Sequence, residues 1–294
     1  MVTGENDRKV YSMDYQELDH RGVLDKLADR EPTAHKGDFG RILLLCGSRG
    51  YTGAAALAAM GALRTGAGLV YLGVPESIYA IEAVKLTEPV VFPLPDQDGM
   101  LSARACPAIE EMIPKMDAIL IGPGLGQSEG TLAVLKTVLE KAECPVTVDA
   151  DGINLLAAHR DILRGRRCRM ILTPHEGEYG RLAGPVGPDR TAAAMGLARE
   201  LSCTVLLKGH RTLITDGIRC WRNLTGNPGM AVGGSGDLLA GILTALLGQG
   251  LAPLDAAACA AWLHGAAGDI CARELGQYAM LPSDMLSALP RLLK

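Results

Sequence analysis

The strongest chemical signal in the chain is the stretch Asn227-Pro228-Gly229-Met230-Ala231-Val232-Gly233-Gly234-Ser235-Gly236-Asp237. The glycines between Gly229 and Gly236 let the backbone turn tightly and approach a ligand closely. An apolar run, Leu238–Leu247, follows directly and reads as an amphipathic helix. Free N–H groups at the start of such a helix, with its macrodipole, make an anion site. It suits a phosphate or charge developing on a phosphoryl group. Asp237 falls in the first helical turn. It would be an ordinary capping residue there, but a cap needs no glycines before it. A carboxylate would repel a resting phosphate. Asp237 therefore reads as a base that takes a hydroxyl proton while the glycine N–H groups hold the phosphoryl oxygens.

Most other reactive side chains come just after apolar β-type runs. Thr173-Pro174-His175-Glu176-Gly177-Glu178 brings a histidine and two carboxylates to one strand end. They suit acid–base work, substrate positioning or metal binding, and His175 suits a structural hydrogen bond equally well. Asp149-Ala150-Asp151-Gly152-Ile153-Asn154 ends another strand with two carboxylates and an amide. Lys208-Gly209-His210-Arg211-Thr212 places cations beside a glycine turn, which can hold phosphates or be a plain exposed turn. Gly122-Pro123-Gly124-Leu125-Gly126 follows a strand but has Gln127 where the dinucleotide fingerprint ends in glycine. No Gly-Lys dipeptide occurs, which excludes a Walker A loop. His35-Lys36-Gly37-Asp38-Phe39-Gly40 leads into the first strand. Gly47–Ala55 leaves it with residues small enough for a flat ring or ribose to lie close. The histidines show no zinc-protease spacing. With these motifs at strand ends, one edge of a sheet gathers them.

The elements that must position them alternate. Strands are expected at Arg41–Cys46, Leu69–Val74, Ala118–Ile121, Pro145–Val148, Met170–Thr173 and Thr204–Lys208. Helices are expected at Ala54–Thr65, Glu76–Val84, Thr131–Lys141, Ile153–Leu156 and Thr191–Glu200. Thr212–Asp216 and Ile218–Trp221 read as an edge hairpin around Gly217. Asp237–Leu247, Leu254–Glu274 and Ser283–Leu289 make the last third helical. The fold class is α/β: a mostly parallel central sheet flanked by helices on both sides. A length of 294 residues suits about two domains as a prior, yet no linker or repeat interrupts the chain, so one domain is the better reading. Residues 1–34 are polar, with a short helix at Gln16–Leu27, and read as an N-terminal extension or cap to a domain at 35–294.

Composition narrows the class. With 48% hydrophobic residues the chain can bury a sizeable core, which excludes wholesale disorder. A net charge of −4 argues against non-specific nucleic-acid binding. Glu5, Asp7, Arg8 and Lys9 are followed by no apolar run, so no signal peptide is expected. The least charged stretch, Asn223–Leu254, is broken by glycines and prolines and is no membrane span. The sequon at Asn223 carries no weight without a secretion signal. Eight cysteines without paired metal-ligand spacing read as reduced thiols of a cytoplasmic protein.

Taken together, HKGDFGRILLLCGS, YTGAAALAA, IGPGLG, VDADGINLL, LTPHEGE, LKGHRTLI and GNPGMAVGGSGDLLAGIL resemble the ADP/ATP-dependent (S)-NAD(P)H-hydrate dehydratase family. That family is a branch of the ribokinase-like superfamily. The resemblance runs from about His35 to the C-terminus, 260 of 294 residues. It implies a ribokinase-like fold and a hydro-lyase that repairs hydrated NADH or NADPH. The ring hydroxyl at C6 is phosphorylated by ADP, or by ATP in an alternative version, and phosphate is then eliminated. ADP would leave AMP and phosphate. The resemblance makes Asp237 the base and Gly234, Ser235 and Gly236 the anion hole. It places Lys208, Gly209, His210, Arg211, Thr212 and Gly236 on the adenine nucleotide, and Ala55, Gly124, His175 and Asp237 on the hydrated dinucleotide. Asn154 and Glu178 match positions near the phosphates and metal. Mg²⁺ is expected, held largely by phosphates and water, with no metal ligand assigned. A homotetramer and functional pairing with a separate NAD(P)H-hydrate epimerase are also implied. The epimerase domain fused upstream in some members is not expected within residues 1–34. Ser235 stands where many relatives have Thr, and Glu176 where Pro is common, adding a negative charge beside His175. Two other readings use the same loop. A hydroxyethylthiazole-kinase-type enzyme would accumulate a phosphorylated product. A nucleotide sensor would have no use for Asp237.

Overall fold

The computed structural model describes residues 15–294. The Glu5–Lys9 stretch and the rest of residues 1–14 lie outside the described residues. Strands β1 (Arg41–Leu45), β2 (Leu69–Pro75) and β3 (Val90–Leu94) come first, followed by a small hairpin of β4 (Asp96–Gln97) and β5 (Met100–Leu101). Then come β6 (Ala118–Ile121), β7 (Val146–Val148), β8 (Met170–Leu172), β9 (Thr204–Leu207), β10 (Leu213–Thr215) and β11 (Cys220–Arg222). The main sheet has the order β11-β10-β9-β8-β7-β6-β1-β2-β3. It is parallel from β3 to β9 and ends in the antiparallel hairpin β10–β11. The order reverses between β1 and β6, which makes their carboxyl ends the switch point where open α/β sheets bind ligands.

The helices are α1 (His20–Leu24), α2 (Thr52–Arg64), α3 (Glu76–Lys85), α4 (Cys106–Met112), α5 (Glu129–Lys141) and α6 (Asp151–Ala158). They continue with α7 (Glu176–Ala183), α8 (Arg190–Leu201), α9 (Ser235–Gly248), α10 (Pro253–Leu275) and α11 (Pro282–Leu292). They cover both faces. On β1, Ile42 and Leu44 join the core beneath α2, α9 and α10, while Leu43 and Leu45 join the core beneath α5 and α6. This two-sided burial is why the strand reads as an unbroken apolar run.

The run Leu238–Leu247 is not amphipathic, as the sequence suggested. Every residue in it is buried. Helix α9 is wedged between α2, α10 and strands β1, β6 and β7, so no face is left for water. Small residues make this fit. A Cβ on Gly241 would lie 2.1 Å from the Ala58 carbonyl oxygen of α2.

The polar segment before residue 35 is built into the body from Tyr15 onward. Gln16 bridges the edge strand at Trp221, which covers an otherwise open sheet edge. The helix expected over Gln16–Leu27 shrinks to α1, capped by Asp19, because Gln16 is held extended. Val23 is fully buried, the His20 ring stacks on Trp262 at 5.5 Å, and Lys26 pairs with Asp255 at 3.0 Å.

Several elements escaped the sequence reading. Pro93 lies inside β3, a feature tolerated because the strand sits at the sheet edge. Helix α7 contains Gly177 and Gly180, which weaken its helical signal. Helix α4 carries Pro107 in its first turn.

Because α9 delivers Asp237, its packing bears on chemistry as well as stability. Gly241→Ala should lower the unfolding free energy by about 1–3 kcal/mol through overpacking against α2, read as a lower urea midpoint. An unchanged midpoint would contradict the close α2–α9 contact.

Candidate active site

Adjacent strand ends bring together side chains far apart in sequence. Asp149 follows β7, Glu178 lies in the first turn of α7 after β8, and Lys208 follows β9. Lys208 Nζ lies 2.8 Å from Asp149 Oδ1 and 3.6 Å from Glu178 Oε2. Asp149 and Glu178 are buried. Burial alone would lower the Lys208 pKa, but the Asp149 and Glu178 carboxylates outweigh it and hold the ammonium above its ordinary value.

The glycine-rich loop closes over this pair. Gly234 caps α9 with φ +93°, and a Cβ there would meet Leu57 at 2.5 Å, so only glycine fits. A Cβ on Gly236 would lie 3.5 Å from Lys208 Nζ and 3.9 Å from Asp149 Oδ2, which fixes the loop against the charge cluster. The Ser235 N–H donates to the Val232 carbonyl at 3.3 Å, and the Leu238 N–H donates to Gly234. Gly236 and Asp237 N–H have no acceptor among the described residues and stand free at the helix start. The Ser235 N–H is thus already engaged within the loop.

Asp237 titrates at about 6. Burial raises it most, the Asp149 carboxylate adds to this, and the Lys208 ammonium opposes them. Cys46, at the end of β1, is pushed well above its ordinary value by burial and then by Asp237 and Asp149. It is a neutral thiol beside the cluster.

The loops that leave β1 and β6 form the other half. Gly47 N–H donates to Pro123 O at 2.8 Å, and Ser48 Oγ donates to Gly124 O at 2.7 Å, tying the two loops together. Gly124 (φ +61°) packs so closely that a Cβ would lie 2.9 Å from both Ala54 and Tyr51 Cβ. Ala55 is fully buried beneath. Asp151 accepts from Gly126 N–H at 2.9 Å and Gln127 Nε2 at 3.0 Å, anchoring the second loop.

The remaining expected residues fall into distinct roles. His175 caps α7: its Nδ1 accepts from Gly177 N–H at 2.9 Å and Glu178 N–H at 3.3 Å, while Nε2 stands 3.3 Å from Glu178 Oε1. The Glu176 charge is taken by Arg190 at 2.9 Å rather than by His175. Asn154 Oδ1 accepts from Arg181 Nε at 2.7 Å, so this oxygen is already engaged. Glu178 is engaged by Lys208 and the His175 N–H. Lys208 departs from the rest of its turn, since its ammonium faces the carboxylates. Gly209, His210 and Arg211 are exposed and Thr212 is half-buried. Arg190 organises that turn from α8, donating to His210 O at 2.9 Å and to Lys208 O at 3.3 Å. Asp149, Asp151, Arg190 and His264, which contacts Ser235, were not singled out as site residues in the sequence. Only the placement of Asp149 and Asp151 at a strand end hinted at them. Among the described residues, no group of three or more His, Cys, Asp or Glu side chains is arranged to hold a metal by itself.

A parallel sheet whose order reverses between β1 and β6, and a glycine-rich loop opening a buried helix over an acid–lysine cluster, define a ribokinase-like α/β protein. The family described as NAD(P)H-hydrate dehydratase matches residues 42–291, and the chain belongs to it. It is 45% identical over 276 residues to the bifunctional NAD(P)H-hydrate repair enzyme Nnr of Moorella thermoacetica, covering 92% of this chain and 52% of that one. The chain thus spans about half the length of several curated relatives that it matches. It is 33% identical over 267 residues to the ADP-dependent (S)-NAD(P)H-hydrate dehydratase of Listeria monocytogenes, covering 90% and 91% of the two chains. The ADP/ATP-dependent NAD(P)H-hydrate dehydratase of Bacillus subtilis, co-crystallised with ATP/Mg²⁺, superposes with a TM-score of 0.82 at 30% identity, covering 96% and 98%.

A folded-state pKa near 6 for Asp237 means that the folded chain binds this proton more tightly than the unfolded chain does. The fold is thus penalised above pH about 6 and relieved as pH falls toward the unfolded value. Asp237→Asn should stabilise the protein at pH 8 by roughly 1–3 kcal/mol, with the gain fading toward pH 4. Melting curves at the two pH values check this, and a destabilised variant at pH 8 would contradict it.

Proposed function

We propose that the protein is an ADP-dependent (S)-NAD(P)H-hydrate dehydratase, with ATP as an alternative donor. The observation that carries this reading is Asp237: a carboxylate with its pKa at about 6, in the turn that also presents the free N–H groups of Gly236 and Asp237. Its family membership and the names of the Listeria and Bacillus relatives support the substrate.

In this reading Asp237 takes the proton of the C6 hydroxyl of hydrated NADH or NADPH. The hydroxyl oxygen attacks the terminal phosphorus of the nucleotide, the bridging P–O bond breaks, and AMP leaves when ADP is the donor. The N–H groups of Gly236 and Asp237 hold the phosphoryl oxygens as charge develops. The C6–O bond then breaks, phosphate leaves with the bonding pair, and loss of a proton from the adjacent carbon restores the ring double bond. Gly234 and Ser235 shape the anion site. Gly209, His210, Arg211, Thr212 and Gly236 meet the AMP portion, and Lys208 neutralises the carboxylates beneath it. Gly124 and His175 meet the hydrated dinucleotide, with Ala55 supporting the Gly124 loop from beneath.

Mg²⁺ fits the oxygen-rich carboxylate environment. With Lys208 among Asp149 and Glu178, and Asn154 and Glu178 engaged, the ion would be held mainly by nucleotide phosphates and water near Asp149 and Asp237. When bound it would neutralise phosphate charge. The Bacillus relative, co-crystallised with ATP/Mg²⁺, supports this.

A homotetramer accords with apolar side chains left exposed: Ile81 and Val84 on α3, Val90 at the start of β3 and Tyr51 just before α2. Functional pairing with an epimerase accords with relatives of twice the length being named bifunctional repair enzymes. A cytoplasmic location accords with eight free thiols. No helix among the described residues is long and apolar enough to cross a membrane.

The direct test is recovery of reduced-nicotinamide absorbance from purified NADH hydrate with Mg²⁺ and ADP or ATP. Recovery should require a nucleotide, name the donor, and collapse by at least about 10²-fold in Asp237→Asn. No recovery from folded protein that binds AMP would overturn the reading and favour a small-alcohol kinase. A base with a pKa near 6 works only when deprotonated, so kcat/KM should fall about tenfold per pH unit below pH 6 and level off above it. A flat profile from pH 5 to 8 would remove Asp237 as the base.

A further inference from the structure

Helix α10 lies behind the glycine-rich loop and holds it at several points. His264 is buried, and its Nε2 stands 3.3 Å from Ser235 Oγ, the hydroxyl of the first residue of α9. At the other end of the loop the Asp269 carboxylate accepts from Gly226 N–H at 2.9 Å and Asn227 Nδ2 at 3.0 Å. Between them Gly265 and Gly268 let the loop touch the helix. A Cβ on Gly265 would lie 2.2 Å from Thr225 Oγ1, and one on Gly268 would lie 2.4 Å from Met230 Sδ. Thr225 Oγ1 donates to Trp262 O at 3.0 Å, adding a further tie.

Ser235 offers its N–H to Val232, and its buried hydroxyl faces α10. The next two residues, Gly236 and Asp237, keep N–H groups without an acceptor among the described residues, and Gly236 lies beside Lys208 and Asp149. Burial lowers His264 to about 4, so it is neutral at pH 7 and adds no positive charge near Lys208. A neutral imidazole can hold the hydroxyl without competing for the phosphoryl group.

We propose that His264 is a positioning residue. Through Ser235 Oγ it fixes the first turn of α9 and so aims the Gly236 and Asp237 N–H groups and the Asp237 carboxylate at the reacting phosphoryl group. This rests on the dehydratase reading for its reaction, but the aim of the N–H groups can be read without turnover. Its effect belongs to the phosphoryl position and the transition state, not to binding of the AMP portion.

The test compares wild type, His264→Leu, His264→Gln, Ser235→Ala and the double variant His264→Leu/Ser235→Ala. Calorimetry measures inorganic phosphate and AMP affinities, and turnover is followed from NADH hydrate with the active donor. Thermal midpoints track folding. His264→Leu and Ser235→Ala should each weaken phosphate binding and lower kcat by about tenfold, with AMP affinity within about twofold. The double variant should be no worse than the worse single variant, and His264→Gln, whose amide can donate or accept toward Ser235 Oγ, should recover most of both. Independent, multiplying effects would overturn the proposal. So would a His264→Leu protein with wild-type phosphate affinity and kcat, or equal losses of phosphate and AMP affinity. If His264→Leu does not fold, Ser235→Ala and His264→Gln carry the same comparison. Absence of turnover in wild type would sink the dehydratase reading alone, leaving the phosphate measurements to decide on His264.

Discussion

The site depends on one cation. Lys208 Nζ sits against Asp149 and within reach of Glu178, with Asp237 contributing to the same field. Carboxylates this well buried repel one another and are costly to ionise. The ammonium makes their company tolerable, and the residual penalty falls on Asp237. Burial, which opposes every charge in the cluster, is offset at Lys208 by its carboxylates but raises Asp237 to about 6.

The fold supplies the cluster cheaply because parallel strands end together. β7, β8 and β9 deliver Asp149, the α7 cap and Lys208 to one edge, although these residues are spread over 59 positions between the ion-paired partners. Strand order reverses between β1 and β6 beside them, and there Gly124 packs closely on Ala54 and Tyr51. The last piece comes from the opposite direction. Helix α9 is buried on all sides, so its start is fixed by packing against α2 and α10 as firmly as any strand end. Rigid support on three sides suits an anion site, whose value lies in donors that need no rearrangement when charge develops.

The central part of this arrangement was readable from residue types alone. A glycine-rich turn ahead of an apolar run has few physical uses, so Asp237 and its neighbours stood out. The parallel sheet followed from apolar runs alternating with helical spacing, and Ala118–Ile121 coincides with β6. Other features depended on contacts that periodicity does not encode. The amphipathic reading of Leu238–Leu247 fails on the residues themselves, since Thr244 is the one polar side chain in the run, and α2 and α10 pack against the helix. His175 advertised chemistry, but its Nδ1 caps α7. Lys208 resembled its neighbours in an exposed turn, and only the strand order shows its ammonium turning to Asp149. His264 and Arg190 carried no local motif, because each acts across space on a loop tens of residues away. β3 was hidden by Pro93, which only an edge strand accommodates.

The coupling of Lys208 to Asp237 is the central claim, and a carboxyl-carbon NMR titration of Asp237 tests it most directly, in wild type and in Lys208→Met. Asp237 should titrate near 6 in wild type and higher still once the ammonium is gone, because burial and Asp149 then act unopposed. An ordinary carboxylate value in wild type, or a Lys208→Met protein in which Asp237 does not move upward, would contradict the electrostatic basis of the site.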